Sequence, residues 1–101
     1  MKRPTSARTK LASKDLGEYI SSWRKLRGLT MQQLAEKANT TRVTISKLEH
    51  GDSKVSLETF LNVCGSLGVL DRVKEAIDPY ETDFGRIRAD QELPQRVRSR
   101  S

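Results

Sequence analysis

The stretch from Met31 to His50, MQQLAEKANTTRVTISKLEH, limits the possible folds more than any other part of the chain. Leu34 and Ala35 mark the apolar face of one short helix, and Ile45 and Leu48, three residues apart, mark that of another. Between them lies Ala38-Asn39-Thr40, where the chain must turn sharply. Such a corner needs a residue at positive φ, and after glycine, asparagine tolerates that best. Ala35 is small where the two helices would cross, so their backbones can approach. The outward positions of the second helix are Arg42, Val43, Ser46, Lys47 and His50, which recur at i, i+1, i+4, i+5 and i+8 as one continuous strip. The strip holds donors, acceptors and two fixed positive charges but no acid, and it suits base edges in the major groove of double-stranded DNA. Periodicity alone would equally describe two amphipathic helices of any bundle. The order Ala35, Asn39, Ile45, Leu48, at offsets of 4, 6 and 3, and the flanking residues favour the DNA reading.

Composition narrows the alternatives. A chain of 101 residues is one domain at most, and with 35% apolar and 32% charged residues its core is small. A net charge of +6 favours an acidic partner, of which nucleic acid is the usual one. The excess is local: residues 1–13 hold Lys2, Arg3, Arg8 and Lys10 and no acid, whereas residues 14–78 hold 10 basic and 9 acidic side chains. A DNA footprint on the helical region must therefore come from how its charges are placed. Cys64 is the one cysteine, so no internal disulfide can form, and without a metal-ligand cluster the chain fits a reducing cytosol. No apolar run approaches the roughly 20 residues of a membrane span, and no apolar stretch follows the basic N-terminus as it would in a secretory signal. His50, the only histidine, is not paired with Cys64 or a carboxylate as a catalytic unit, so no enzyme and no cofactor are expected.

Taken in order, residues 1–13 read as a disordered basic arm. Its Lys2, Arg3, Arg8 and Lys10 would follow DNA phosphates or enter the minor groove, or else would only add solubility. A helix is expected from about Lys14 to Arg27, with Leu16, Ile20, Trp23 and Leu26 as its apolar stripe and Gly28 as its stop. Thr30 with Gln33 suggests a capping box for the second helix, and Thr41 a cap for the third, which ends at Gly51. Ser56 would cap a fourth helix with Leu57, Phe60, Leu61, Cys64 and Leu67 inward, and a short fifth helix would run from Leu70 to Ile77 before Asp78-Pro79. Residues 79–101 read as a tail that is either unstructured or supplies peptide-like anchors, Phe84, Leu93 and Val97, for a partner.

Residues Leu16 to Ile77 resemble the XRE family, the helix-turn-helix group that includes the phage Cro and repressor proteins. The resemblance rests on Leu16-Gly17, Ile20, Arg24, Gly28-Leu29-Thr30, Leu34-Ala35, Thr44 through Glu49, Gly51, Ser56-Leu57-Glu58 and Leu67-Gly68-Val69. It implies an all-α, compact five-helix, lambda-repressor-like domain over residues 14–78 with flexible terminal segments. It also implies a homodimer on palindromic DNA, with the third helix in the major groove. Arg42, Val43, Ser46 and Lys47 would read bases. Gln32, Gln33, Thr40, Thr41, His50 and Lys54, with backbone amides at the starts of the second and fourth helices, would meet phosphates. Arg24 and Glu49 match a pair that joins the first helix to the end of the third. The chain departs from the pattern at Met31, where glutamine is frequent, at Asn39, where glycine is commoner, and at Val55, where proline is expected.

The ending YETDFGRIRADQELPQRVR looks like that of XRE-type regulators which accompany HipA-like kinase toxins. That resemblance implies a HipB-like antitoxin that represses its own operon. The end of the fifth helix and the C-terminal segment are the expected dimer surfaces. The rival from another class is a protein-interaction adaptor built on the same domain, and RNA binding is disfavoured by the lack of an aromatic platform.

Overall fold

Hydroxyl side chains determine where the helices begin. Ser6, Thr30, Thr41, Ser56 and Thr82 accept the backbone N–H three residues on, at 2.9 to 3.1 Å. Each such cap contributes about 1 kcal/mol. The computed structural model describes residues 3–92, and among these the chain is all-helical. The helices are α1 (Ala7–Leu26), α2 (Met31–Lys37), α3 (Arg42–Glu49), α4 (Leu57–Leu67), α5 (Leu70–Ala76) and α6 (Asp83–Glu92), with a 3-10 turn at Pro79–Glu81 before α6.

The described residues form two compact parts, one ending at Leu70 and the other beginning at Asp71. In the first, α3 packs against both α1 and α2, and α4 packs against α2 and α1. Ile20, Leu34, Ala35, Ala38, Ile45, Leu48, Val63, Cys64, Leu67 and Val69 are buried and make up its core. Burial raises the pKa of the Cys64 thiol, so this cysteine is a small apolar core residue and not a reactive one. The expected corner is present: Asn39 stands at φ 57°. Gly17 lets α1 lie against the end of α3, because a Cβ there would come within 2.5 Å of the Leu48 carbonyl oxygen and 2.7 Å of that of Glu49.

Several expectations need correction. Helix α1 begins at Ala7 and not at Lys14, so Arg8 and Lys10 belong to a helix and not to a disordered arm. Ser6 supplies an early cap, and Ala7, Lys10, Leu11 and Ala12 are good helix formers. Arg3 precedes that cap, and Lys2 lies outside the described residues. Leu16, Leu26 and Leu57 are exposed: the buried residues of α1 are Gly17, Ile20 and Arg24, those of α4 are Val63, Cys64 and Leu67, and Leu16 and Leu57 border an open groove. Trp23 is half-buried, with the Arg27 guanidinium 5.6 Å from its ring centre. Helix α5 stops at Ala76, leaving Ile77 exposed.

Residues 79–92 are more ordered than a tail. Asp78 accepts the Tyr80 N–H at 2.9 Å, Thr82 caps α6, and a Cβ at Gly85 would overlap the Pro79 carbonyl. Phe84 is exposed on α6, while Leu93 and Val97 lie outside the described residues.

Two substitutions test this packing by denaturant unfolding. Gly17→Ala should destabilise by about 1–3 kcal/mol, because the methyl meets backbone that cannot rotate away. Asn39→Gly should be tolerated, whereas Asn39→Val should cost about 1–2 kcal/mol for a branched residue held at positive φ.

Candidate nucleic-acid interface

Helix α3 is held at both ends. At its start, Thr41 accepts the Thr44 N–H at 3.1 Å, and the turn before it closes through Thr40 N–H to the Ala35 carbonyl at 2.9 Å. At its end, Glu49 is buried and accepts two hydrogen bonds from Arg24, Nε to Oε2 at 2.6 Å and Nη2 to Oε1 at 3.1 Å. Arg24 also donates from Nη1 to the Leu29 carbonyl at 2.9 Å. One guanidinium thus joins α1, the loop before α2 and the last turn of α3. The hydrogen bond to Glu49 raises the pKa of Arg24 further, against the opposing effect of burial, so the group stays charged.

This pairing shapes the electrostatics of the outer face. Glu49 is the only acid in α3, and it is turned inward and neutralised. Arg42, Val43, Lys47 and His50 are exposed and Ser46 is half-buried, so the structure brings together all five strip residues expected from the sequence. Val43 is 62% exposed, a large aliphatic side chain held in solvent by a helix whose other apolar residues, Ile45 and Leu48, are inside. His50 ends α3, and its Nδ1 lies 2.7 Å from the Ser46 carbonyl. A carbonyl only accepts, so Nδ1 carries the proton. In the neutral ring Nε2 is then an acceptor, and His50 can donate to a phosphate only as imidazolium.

The residues expected at phosphates differ in how ready they are. Gln33 Oε1 accepts the Thr30 N–H at 2.8 Å, which completes the capping box and leaves its amide nitrogen able to donate. Gln32 gives its amide nitrogen to Glu36 at 3.1 Å and would have to share it. Thr41 uses its hydroxyl oxygen in the α3 cap, and Thr40 is half-buried. Lys54 is exposed on a loop pinned by its own N–H to Asp52 Oδ1 at 2.8 Å. The caps at Thr30 and Ser56 each take one of the early amides of α2 and α4, so fewer remain for phosphate than the bare helix starts suggest.

Lys14 also stands close to the end of α3. Its backbone packs on Gly51, where an added Cβ would lie 2.7 Å from the Lys14 Cα, so α1 passes just beyond the end of α3. Lys10 precedes Lys14 by four residues, one helical turn, and both are exposed. That i, i+4 spacing was the available signal. Among the described residues there is no group of three or more His, Cys, Asp or Glu that could hold a metal ion, and no helix long and apolar enough to cross a membrane.

The profile of the helix-turn-helix family matches residues 20–70, from the second half of α1 to the first residue of α5. An immunity repressor protein of Bacillus phage phi105 is 43% identical over 54 residues, which is 54% of this chain. The chain spans 38% of the length of that phage protein.

Glu49→Ala should lower unfolding stability by about 3–5 kcal/mol, because it leaves the Arg24 charge buried without its carboxylate. The double substitution Arg24→Met/Glu49→Leu should recover most of that loss in the same denaturant titration.

Proposed function

The chain belongs to the helix-turn-helix family of XRE/Cro type, a family of DNA-binding regulators, and from that premise we propose that it reads a specific DNA sequence through α3 and represses transcription there. The observation that carries this reading is the exposed strip of α3, kept free of acid because Glu49 is buried against Arg24. Arg42 suits guanine O6 and N7, a bidentate contact worth roughly 1–3 kcal/mol of discrimination. Val43 offers an apolar surface to a thymine methyl, and Ser46 and Lys47 suit either a base edge or a phosphate. Phosphate contacts from Gln33, Lys54 and the basic start of α1 would set the register without reading sequence.

Helix α3 has eight residues and reads few base pairs. Specific binding therefore calls for a two-fold dimer on a palindromic operator with half-sites about one DNA turn apart. The finer reading is an autoregulating antitoxin of a HipA-like kinase toxin in the bacterial cytoplasm, contacting the toxin through its C-terminal part. Exposed Phe84 and Ile87 on α6 support a protein contact there. A protein-interaction adaptor is the rival function, but an adaptor has no need of an acid-free strip on α3.

Arg42→Ala should weaken binding to a selected site far more than to random DNA, by fluorescence anisotropy, whereas equal weakening of both would remove the base-reading role. Arg8→Gln/Lys10→Gln should weaken all DNA alike. It should also make the slope of log affinity against log salt shallower by about 1.8, the value for two lost phosphate contacts.

A further inference from the structure

We infer that His50 meets a DNA phosphate only as an imidazolium, so that binding takes up a proton and DNA affinity rises as the pH falls. The inference rests on the proposed reading of α3 and deepens it.

The ring follows the last residue of α3 and is exposed on the same strip as Arg42 and Lys47. Its Nδ1 lies 2.7 Å from the Ser46 carbonyl, and the Ser46 hydroxyl, at 3.5 Å, is too far to compete. A carbonyl only accepts, so the one proton of the neutral ring is held at Nδ1, and Nε2 presents a lone pair. A phosphate oxygen presents lone pairs as well, and the two repel. A second proton, on Nε2, turns that repulsion into a charge-assisted hydrogen bond. A lysine here would hold a phosphate whatever the pH, and an asparagine could turn its amide toward one. The locked ring can do so only when charged.

The groups around the ring leave this role to it. On α3 they are Lys47 and Glu49, and Glu49 is bound to Arg24. On α1 they are Lys10, Asp15 and Lys14, whose backbone packs on Gly51 beside the ring. The loop that follows has Asp52, whose Oδ1 takes the Lys54 N–H, and Lys54 itself. On α2, the other helix packed on α3, Glu36 accepts from the Gln32 amide and Lys37 is exposed, and α4 opens with Glu58. Among the described residues no carboxylate pairs with His50. Lysines and carboxylates of these types keep their charge across the range in which histidine changes its own, and His50 is the one histidine of the chain.

The test is fluorescence anisotropy of the full chain on a duplex of random sequence, at several salt concentrations, for the wild type, His50→Ala and His50→Lys. It is run at about pH 5.5 and about pH 8.5, on either side of the histidine range. Wild-type affinity should be about tenfold higher at the lower pH, the scale of one charge-assisted hydrogen bond, with a salt slope steeper by about 0.9. Neither variant should show that difference, and circular dichroism checks that both keep their helices. Proton NMR of the single histidine ring gives a second reading: its titration midpoint should lie about one pH unit higher with the duplex than without, the same tenfold seen from the ring. Equal pH dependence in the wild type and both variants would overturn the inference, as would one midpoint with and without DNA. A random duplex carries no selected site, so failure here is separate from failure of the sequence reading, which the Arg42→Ala comparison judges.

Discussion

The ion pair between Arg24 and Glu49 is the interaction on which the rest of this structure depends. It takes the one acid of the reading helix out of solvent, and it ties that helix to α1 and to the loop before α2. Two desolvated charges contribute little net stability over an apolar pair of the same shape. Their contribution is better seen as geometric and electrostatic. The bidentate fork fixes the last turn of α3 in angle as well as distance, and the same contact leaves Arg42 and Lys47 as the formal charges on the outer strip.

The surrounding packing points the same way. Gly17 brings α1 onto the last carbonyls of α3, and Gly51 admits the Lys14 backbone beside them, so neither position has room for a side chain. At the other end, Asn39 and the Thr41 cap turn the chain into α3. The helix is thus anchored at its ends while its middle, Val43 to Lys47, stays open on one side. A single preorganised helix in a small domain can present side chains to a groove with little ordering cost on binding.

Much of this was legible in the residues themselves. The corner at Asn39, the caps at Thr30, Thr41 and Ser56 and the stops at Gly28 and Gly51 follow from short-range rules of turn and cap chemistry, and the burial of Leu34, Ala35, Ile45 and Leu48 follows from helical periodicity. The start of α1 was not legible by the same reasoning, because a charged run with Pro4 resembles an arm while Ser6 can cap a helix two residues later. The close approach at Gly17 is a tertiary fact, and a glycine inside a helix reads only as a weak point. Leu16 and Leu57 continue apolar stripes in angle yet remain exposed, since periodicity gives the face of a helix and not the extent of its neighbours. In residues 79–92 the controlling features were the Thr82 cap and the contact of Gly85 with Pro79, both overshadowed by charge and by glycine.

Whether α3 reads DNA sequence is decided by selecting bound duplexes from a randomised DNA library with the full chain at raised salt. A reading helix should give convergence on one sequence with two symmetric halves about one DNA turn apart and a guanine in each half. Recovery of no common sequence, with every duplex bound alike and released alike by salt, would contradict it.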